Sequence, residues 1–342
     1  MPRVHACLLM TLFALIETGW ANETDGDSEP IRIGIIGLDT SHVTAFTRSF
    51  NADPAEPEIQ GCRVVAAYPK GSEDIESSYS RIPKYTQAVQ AMGVEIVGSI
   101  DALLEKVDCV LLETNDGKPH LEQSLQVLHA GKRVFIDKPV AQDLANAVAI
   151  YQAAKYFQVP VFSSSSLRYA AGVDEIRSGE IGEVLGCDTY SPCSFEPSHV
   201  DLFWYGIHGV EPLFACMGTG CESVRCQPSE HAEIAIGTWT GNRIGVFRGI
   251  RNGKSGYGGT AFGAGETRQV GPYQGYQPLV REIASFFRSG VAPVNAEETL
   301  QIYAFMQAAS ESKRRHGASV TIAEVMADAT RKASELLAGK LH

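Results

Sequence analysis

The stretch Ile31–Phe46, "IRIGIIGLDTSHVTAF", decides how the rest of the chain is read. "IRIGIIG" is apolar apart from Arg32, which is the pattern of a strand buried on both faces, and "HVTAFTRSFN" then takes up helical spacing. A strand, a glycine turn and a helix form the opening unit of a doubly wound parallel sheet. In a dinucleotide-binding turn the three glycines serve a tight turn, close approach of the pyrophosphate, and close helix packing. Gly37 fits the first role, while Asp39 and His42 stand at the second and third positions. A carboxylate at ~5 Å from a phosphate charge costs roughly 3 kcal/mol at an effective dielectric near 20, so Asp39 opposes a pyrophosphate if it faces one. The alternative is Asp39 as an N-cap on the amides of Ser41 or His42, with His42 a packed helix residue.

Beyond the turn, the alternation continues. "CRVVAAY", "DCVLLET", "RVFIDKP" and "VPVFSSSS" read as strands; "IDALLEKV", "HLEQSLQVLHAG" and the segment 141–157 read as helices. Past about Arg168 the texture changes: "HAEIAIGTWTGNRIGVFRGI" is an antiparallel hairpin turning at Gly241-Asn242, and two helical segments close the chain. The expected fold class is α/β. A Rossmann-type doubly wound parallel sheet spans residues 31–145, and an α+β domain with a mainly antiparallel open sheet spans 146–342.

Composition narrows the function classes. The 342 residues are 44% hydrophobic and 20% charged, which excludes a disordered or collagen-like chain. A net charge of -11 repels nucleic-acid backbones and anionic membranes, leaving a small molecule as the default ligand. Residues 1–21 have the layout of a secretory signal peptide, Arg3 followed by "ACLLMTLFALI" and a small residue at Ala21, too short an apolar run to span a bilayer. Residues 22–30 read as a linker, so the mature chain is expected outside the cytoplasm, in a periplasm or similar compartment. Cys62 and Cys109 sit in apolar strands as buried thiols; of Cys187, Cys193, Cys216, Cys221 and Cys226, an exported protein could pair some.

The segments "HLEQSLQVLHAGK" and "GKRVFIDKPVA" make the resemblance specific. The chain resembles the Gfo/Idh/MocA oxidoreductases, the group of glucose-fructose oxidoreductase and inositol dehydrogenase, from Ile31 to about Ile322. In that family the strand ends in Glu-Lys-Pro, and the resemblance implies that Asp137, Lys138 and Pro139 take these places. Lys138 then lies beside nicotinamide and substrate, and Lys138–Pro139 is cis. A lysine there suits acid/base work because its pKa is easily depressed. The loop "ETNDGKPH" places Thr114, Asn115 and the family-like His120 on the cofactor side, with one extra residue before the histidine. No acid ends the second strand; Tyr68, Pro69 and Lys70 stand where a ribose-binding carboxylate is expected, and Lys70 could meet the 2′-phosphate of NADP.

In "HVDLFWYGIHGVEPLF", Gly206 and His208 match the family's Asp-x-Gly-x-His-x-x-Asp, Glu211 stands at the final acid, and Trp204 replaces the first. The resemblance implies that His208 moves the proton, oriented by Glu211 three residues on. Arg168, Tyr169, His199 and Asp201 are candidate substrate-binding residues; His199, Asp201, His208 and Glu211 are also an alternative metal set. The implied activity is NAD(P)-dependent oxidation of a sugar or cyclitol hydroxyl, in a homodimer or homotetramer. A non-redox enzyme on sugar derivatives and a non-catalytic sugar binder stay open beside it.

Overall fold

The computed structural model describes Met1 and residues 29–341; the expected signal peptide and most of the expected linker lie outside the described residues. The first sheet holds β1 (Ile31–Ile36), β2 (Cys62–Tyr68), β3 (Glu95–Ile96), β4 (Cys109–Leu112), β5 (Arg133–Ile136) and β6 (Val161–Phe162). All pairs are parallel, in the order β3-β2-β1-β4-β5-β6. That order reverses direction between β1 and β4, and in such sheets ligands bind outside the strand ends at this point. The sheet continues to Phe162, past the boundary expected at residue 145, because the helix Leu144–Phe157 returns the chain to pair β6 with β5.

The second sheet holds β7 (Val184–Pro192), β8 (Cys221–Pro228), β9 (Ala232–Trp239), β10 (Arg243–Ile250), β11 (Gly258–Gly263), β12 (Thr267–Val270) and β13 (Val320–Thr321). Its order is β12-β11-β7-β10-β9-β8-β13, antiparallel except for β7 beside β10. The β9–β10 hairpin turns through Thr240, Gly241 and Asn242, with positive φ at Gly241 (76°) and Asn242 (59°), two residue types that tolerate the left-handed region.

The late helices do not all serve the second sheet. The helix Gln277–Ser289 carries Leu279, Val280, Ile283, Phe286 and Phe287 on one stripe. That stripe is buried with Ile33, Ile35 and Phe46 of the first domain. Each such side chain gains roughly 2 kcal/mol from burial, so this helix locks the end of the chain onto its beginning. On the other side, Ile302 and Phe305 of the helix Ala296–Arg314 and Ala333 of the helix Ile322–Leu337 share one core with Val148 and Ala149. All seven described cysteines are buried free thiols; the pairing open to an exported chain is not formed among the described residues.

Candidate functional site

The β1 turn is built around Gly37. Its φ is +86°, and a Cβ there would lie 2.5 Å from Thr114 Oγ1, so only glycine lets β1 close against the end of β4. Thr114 itself donates its hydroxyl to Gln123. Asp39 does not cap α1 (His42–Phe50); the Thr40 hydroxyl accepts the His42 amide at 3.4 Å, and Ser41 makes no cap bond. Its carboxylate is buried and accepts the amides of Ser72, at 2.9 Å, and Asn115, at 3.0 Å. Burial raises the Asp39 carboxyl, and those two amides counteract the rise. A Cβ on Gly71 would sit 2.3 Å from Asp39 Oδ2, so the β2 loop closes over the carboxylate as well. The expected repulsion of a phosphate by Asp39 is thereby corrected: the charge points into the protein and clasps the loops after β2 and β4.

His42 is packed, as one of the two readings had it, and it also holds a carboxylate in place. Its Nδ1 lies 2.8 Å from Asp137 Oδ2, with its ring against Phe46 and Tyr276. Burial pushes the Asp137 carboxyl up, but the positive charges of His42 and Lys138 outweigh it and hold the group at about 2. Glu113, at the end of β4, moves the other way: burial and the Asp137 charge push it well above the usual carboxylate range. Neither Glu113 oxygen has a hydrogen-bond partner, and Asp137 Oδ1 has none.

A cleft of about 380 Å³ opens between the sheets, and Thr40, Ser41, His42, Asn115, Lys138 and His208 all line it. The Lys138–Pro139 bond is cis. His208 sits in the first turn of the helix Ile207–Met217, its Nδ1 2.8 Å from Ser165 Oγ. Burial, and then the nearby Lys138 charge, hold its imidazole well below the usual histidine range, so it is neutral. If Nδ1–H donates to Ser165, the remaining nitrogen is left as an acceptor for a proton from the cleft.

The other expected residues lie elsewhere. Glu211 forms no hydrogen bond or ion pair with His208 among the described residues; it accepts a hydrogen bond from Ser164 at 2.9 Å and lies 3.6 Å from Arg168. The three-residue step puts both on one helix face, but Ser164 and Arg168 meet Glu211 there while Ser165 meets His208. Burial raises Glu211 to about 7, and Arg168 and Ser164 limit the rise. Arg168, buried, and Tyr169, half-buried, are not among the residues lining the cleft, and Arg168 pairs with Glu298. His199 accepts the Gly117 amide and lies 3.4 Å from Asp116, while Asp201 pairs with Lys313 at 2.6 Å. The alternative metal set is therefore not assembled: its four members bond four separate partners. His120 is fully buried between the carbonyls of Thr114 and Val140, an anchor for the β4 loop.

Sequence reasoning missed Ser165, Glu113 and a group of tyrosines, Tyr205, Tyr257, Tyr273 and Tyr276, that lines the same cleft as Thr40 and Ser41. The last three sit among glycines in "SGYGGT" and "GPYQGYQP", aromatic residues without strand or helix periodicity, which was the available signal.

Residues 31–164 match the model of an oxidoreductase family described by its NAD-binding Rossmann fold, Gfo/Idh/MocA. Residues 31–164 are thus similar to the NAD-binding domain of the Gfo/Idh/MocA oxidoreductases. Among curated relatives, an uncharacterised oxidoreductase of Streptococcus pneumoniae is 27% identical over 132 residues, 36% of either chain. Inositol 2-dehydrogenase 3 of Saccharopolyspora erythraea is 28% identical over 163 residues, 45% of this chain and 43% of its own. The match thus spans less than half the length of either relative. Among solved structures, a probable dehydrogenase from Thermotoga maritima superposes with TM-score 0.69 at 19% identity, covering 86% of this chain and 100% of its own. Scyllo-inositol dehydrogenase from Lactobacillus casei with bound NAD(H) and scyllo-inositol gives 0.67 at 17% identity, covering 86% and 99%. At these identities the superpositions establish the shared two-domain fold.

Around the turn, the residues fit a nicotinamide dinucleotide in part. The start of α1 lines the cleft with Thr40, Ser41 and Asn115, a donor set suited to a diphosphate. At the ribose end, β2 finishes at Tyr68 with no carboxylate following before Glu73.

Proposed function

We propose that the chain is an NAD(P)-dependent oxidoreductase acting on a hydroxyl of a sugar or cyclitol. The observation that carries this reading is the convergence of Lys138, from the end of β5, and His208, from the second domain, on one cleft beside the start of α1. NAD(P), when bound, supplies the hydride acceptor or donor. Thr40, Ser41 and Asn115 would hold its diphosphate. His208 takes the hydroxyl proton, Ser165 holds its ring, and the Lys138 ammonium stabilises negative charge developing on the same oxygen. The tyrosine group offers flat apolar faces and hydroxyls, a surface suited to a polyhydroxylated ring.

The same residues support cofactor-free acid/base chemistry on a sugar derivative, and one observation favours it: at the third glycine position stands His42, bonded to Asp137. Two further features belong to the proposal. The outer face of the second sheet exposes Tyr190, Ile236, Ile244 and Phe262, which suits a homo-oligomer. Export after cleavage near Ala21 would require the cofactor to be carried tightly bound.

The test is native mass spectrometry of the full chain, then denaturation and analysis of what is released, followed by assays with inositols and aldoses. Stoichiometric NAD(P), or saturable binding with substrate-dependent reduction of it, is expected. A chain that neither carries nor binds NAD(P) at millimolar concentration overturns the redox reading.

A further inference from the structure

One buried cluster is not used by that chemistry. His42, Glu113 and Asp137 each offer a ligand atom, and these atoms lie within 4.8 Å of one another. They come from the start of α1, the end of β4 and the end of β5, segments that follow three neighbouring strands, β1, β4 and β5, of the first sheet. Glu113 and Asp137 are fully buried, and His42 is 6% exposed on the cleft.

The bonding within the cluster is incomplete. His42 Nδ1 meets one oxygen of Asp137, which leaves Asp137 Oδ1 and both oxygens of Glu113 buried without a partner. A buried acceptor left unpaired costs about 1–3 kcal/mol, more for a charged group, so three in one place call for a group that the side chains do not provide. Lys138 is the neighbouring cation, yet it forms no ion pair at 4.0 Å or less with either carboxylate among the described residues. An imidazole nitrogen with two carboxylates is a donor set that borderline divalent cations accept, whereas Mg²⁺ and Ca²⁺ favour oxygen alone.

We propose that His42, Glu113 and Asp137 bind one divalent transition-metal cation, Zn²⁺ or Mn²⁺, in the floor of the cleft. The site is independent of the NAD(P) reading and holds whether or not a dinucleotide binds. Three protein donors leave at least one position of a four- to six-coordinate ion, and the cleft, which His42 lines, is the side from which water or a substrate oxygen reaches it.

The experiment is elemental analysis of the full chain purified without chelator or metal-affinity resin, then chelation, dialysis and calorimetric titration with Zn²⁺ and with Mn²⁺. About one metal per chain is expected on purification or at the end of one titration, with a metal-dependent rise in Tm. Glu113→Gln should weaken binding at least 10-fold and abolish the Tm rise, and His42→Asn should do the same. Using both variants separates lost ligation from a failure of either one to fold, judged by far-UV circular dichroism without metal. Fewer than about 0.1 bound metal per chain under every condition overturns the proposal, leaving a proton shared by Glu113 and Asp137 as the missing group. Uptake that is unchanged in a folded variant places the metal elsewhere and overturns it equally. Neither result bears on NAD(P) release, so the two proposals fail separately.

Discussion

The two walls of the cleft use their polar groups in opposite ways. On the first-domain wall the carboxylates are turned inward: Asp39 binds the amides of Ser72 and Asn115, and Asp137 binds His42. On the second-domain wall His208 uses one nitrogen on Ser165 and keeps the other for the cleft. The difference teaches that departures from a sequence pattern can be structural on one wall while the other keeps its chemistry. A charge at a glycine position is harmless to an anion once it is buried against backbone donors, whereas a buried neutral imidazole with one free nitrogen is a base in waiting.

The sharpest break of that contrast is at His208. Removing the imidazole with His208→Asn should lower kcat/KM by about 10²–10⁴, measured by steady-state turnover on whichever inositol or aldose proves to be a substrate. A loss below 10-fold would mean that the second wall is structural too.

Next in size is Glu211, which lies behind His208 and titrates near neutrality. Its folded pKa, about 7, is raised above the ordinary 4.5, so its contribution to stability is complete below about pH 4.5 and is lost as pH rises to about 7. Across that window wild type should lose up to about 3 kcal/mol that Glu211→Gln does not, measured by urea unfolding at a series of pH values. Parallel curves would show that Glu211 stays ionised beside Arg168.

Asp39 tests the first wall. Asp39→Ala leaves the amides of Ser72 and Asn115 without their acceptor and should cost about 2 kcal/mol, read as a lower urea midpoint. Asp39→Gly should restore no cofactor affinity if the clasp account is right. A gain in NAD(P) affinity without loss of stability would return the carboxylate to the role of an anion repellent. The smallest effect belongs to Ser165→Ala, which removes the hydroxyl from His208 Nδ1 and should lower kcat about 5- to 10-fold with KM little changed.

Much of this is legible without the structure. The alternation of strands and helices is local, and β2 begins and ends where its apolar run does. The paired positive φ values at Gly241 and Asn242 need nothing beyond the two residues themselves. Lys138 and His208 are found through motifs, because short segments carry both. Glu211 is easily misread because spacing on a helix states which face a residue is on, and not which of several neighbours it meets there. Ser165 escapes notice because a serine among four serines, Ser163 to Ser166, carries no signal until a partner 43 residues away is placed against it.

The sequence by itself determined the doubly wound sheet, the turn at Gly37 and the hairpin, since each depends on propensity and periodicity within a few residues, while the resemblance to a family's motifs pointed to Lys138 and His208. Only the tertiary structure decided where the charges of those motifs point. Asp39 finds acceptor-seeking amides 33 and 76 residues away, and His42 meets Asp137 across 95. The helix Gln277–Ser289 likewise closes a sheet begun at Ile31. Such pairings are set by strand order and by which loops it brings to one edge, so the meaning of a charged residue at a glycine position became readable only once the strand ends stood side by side.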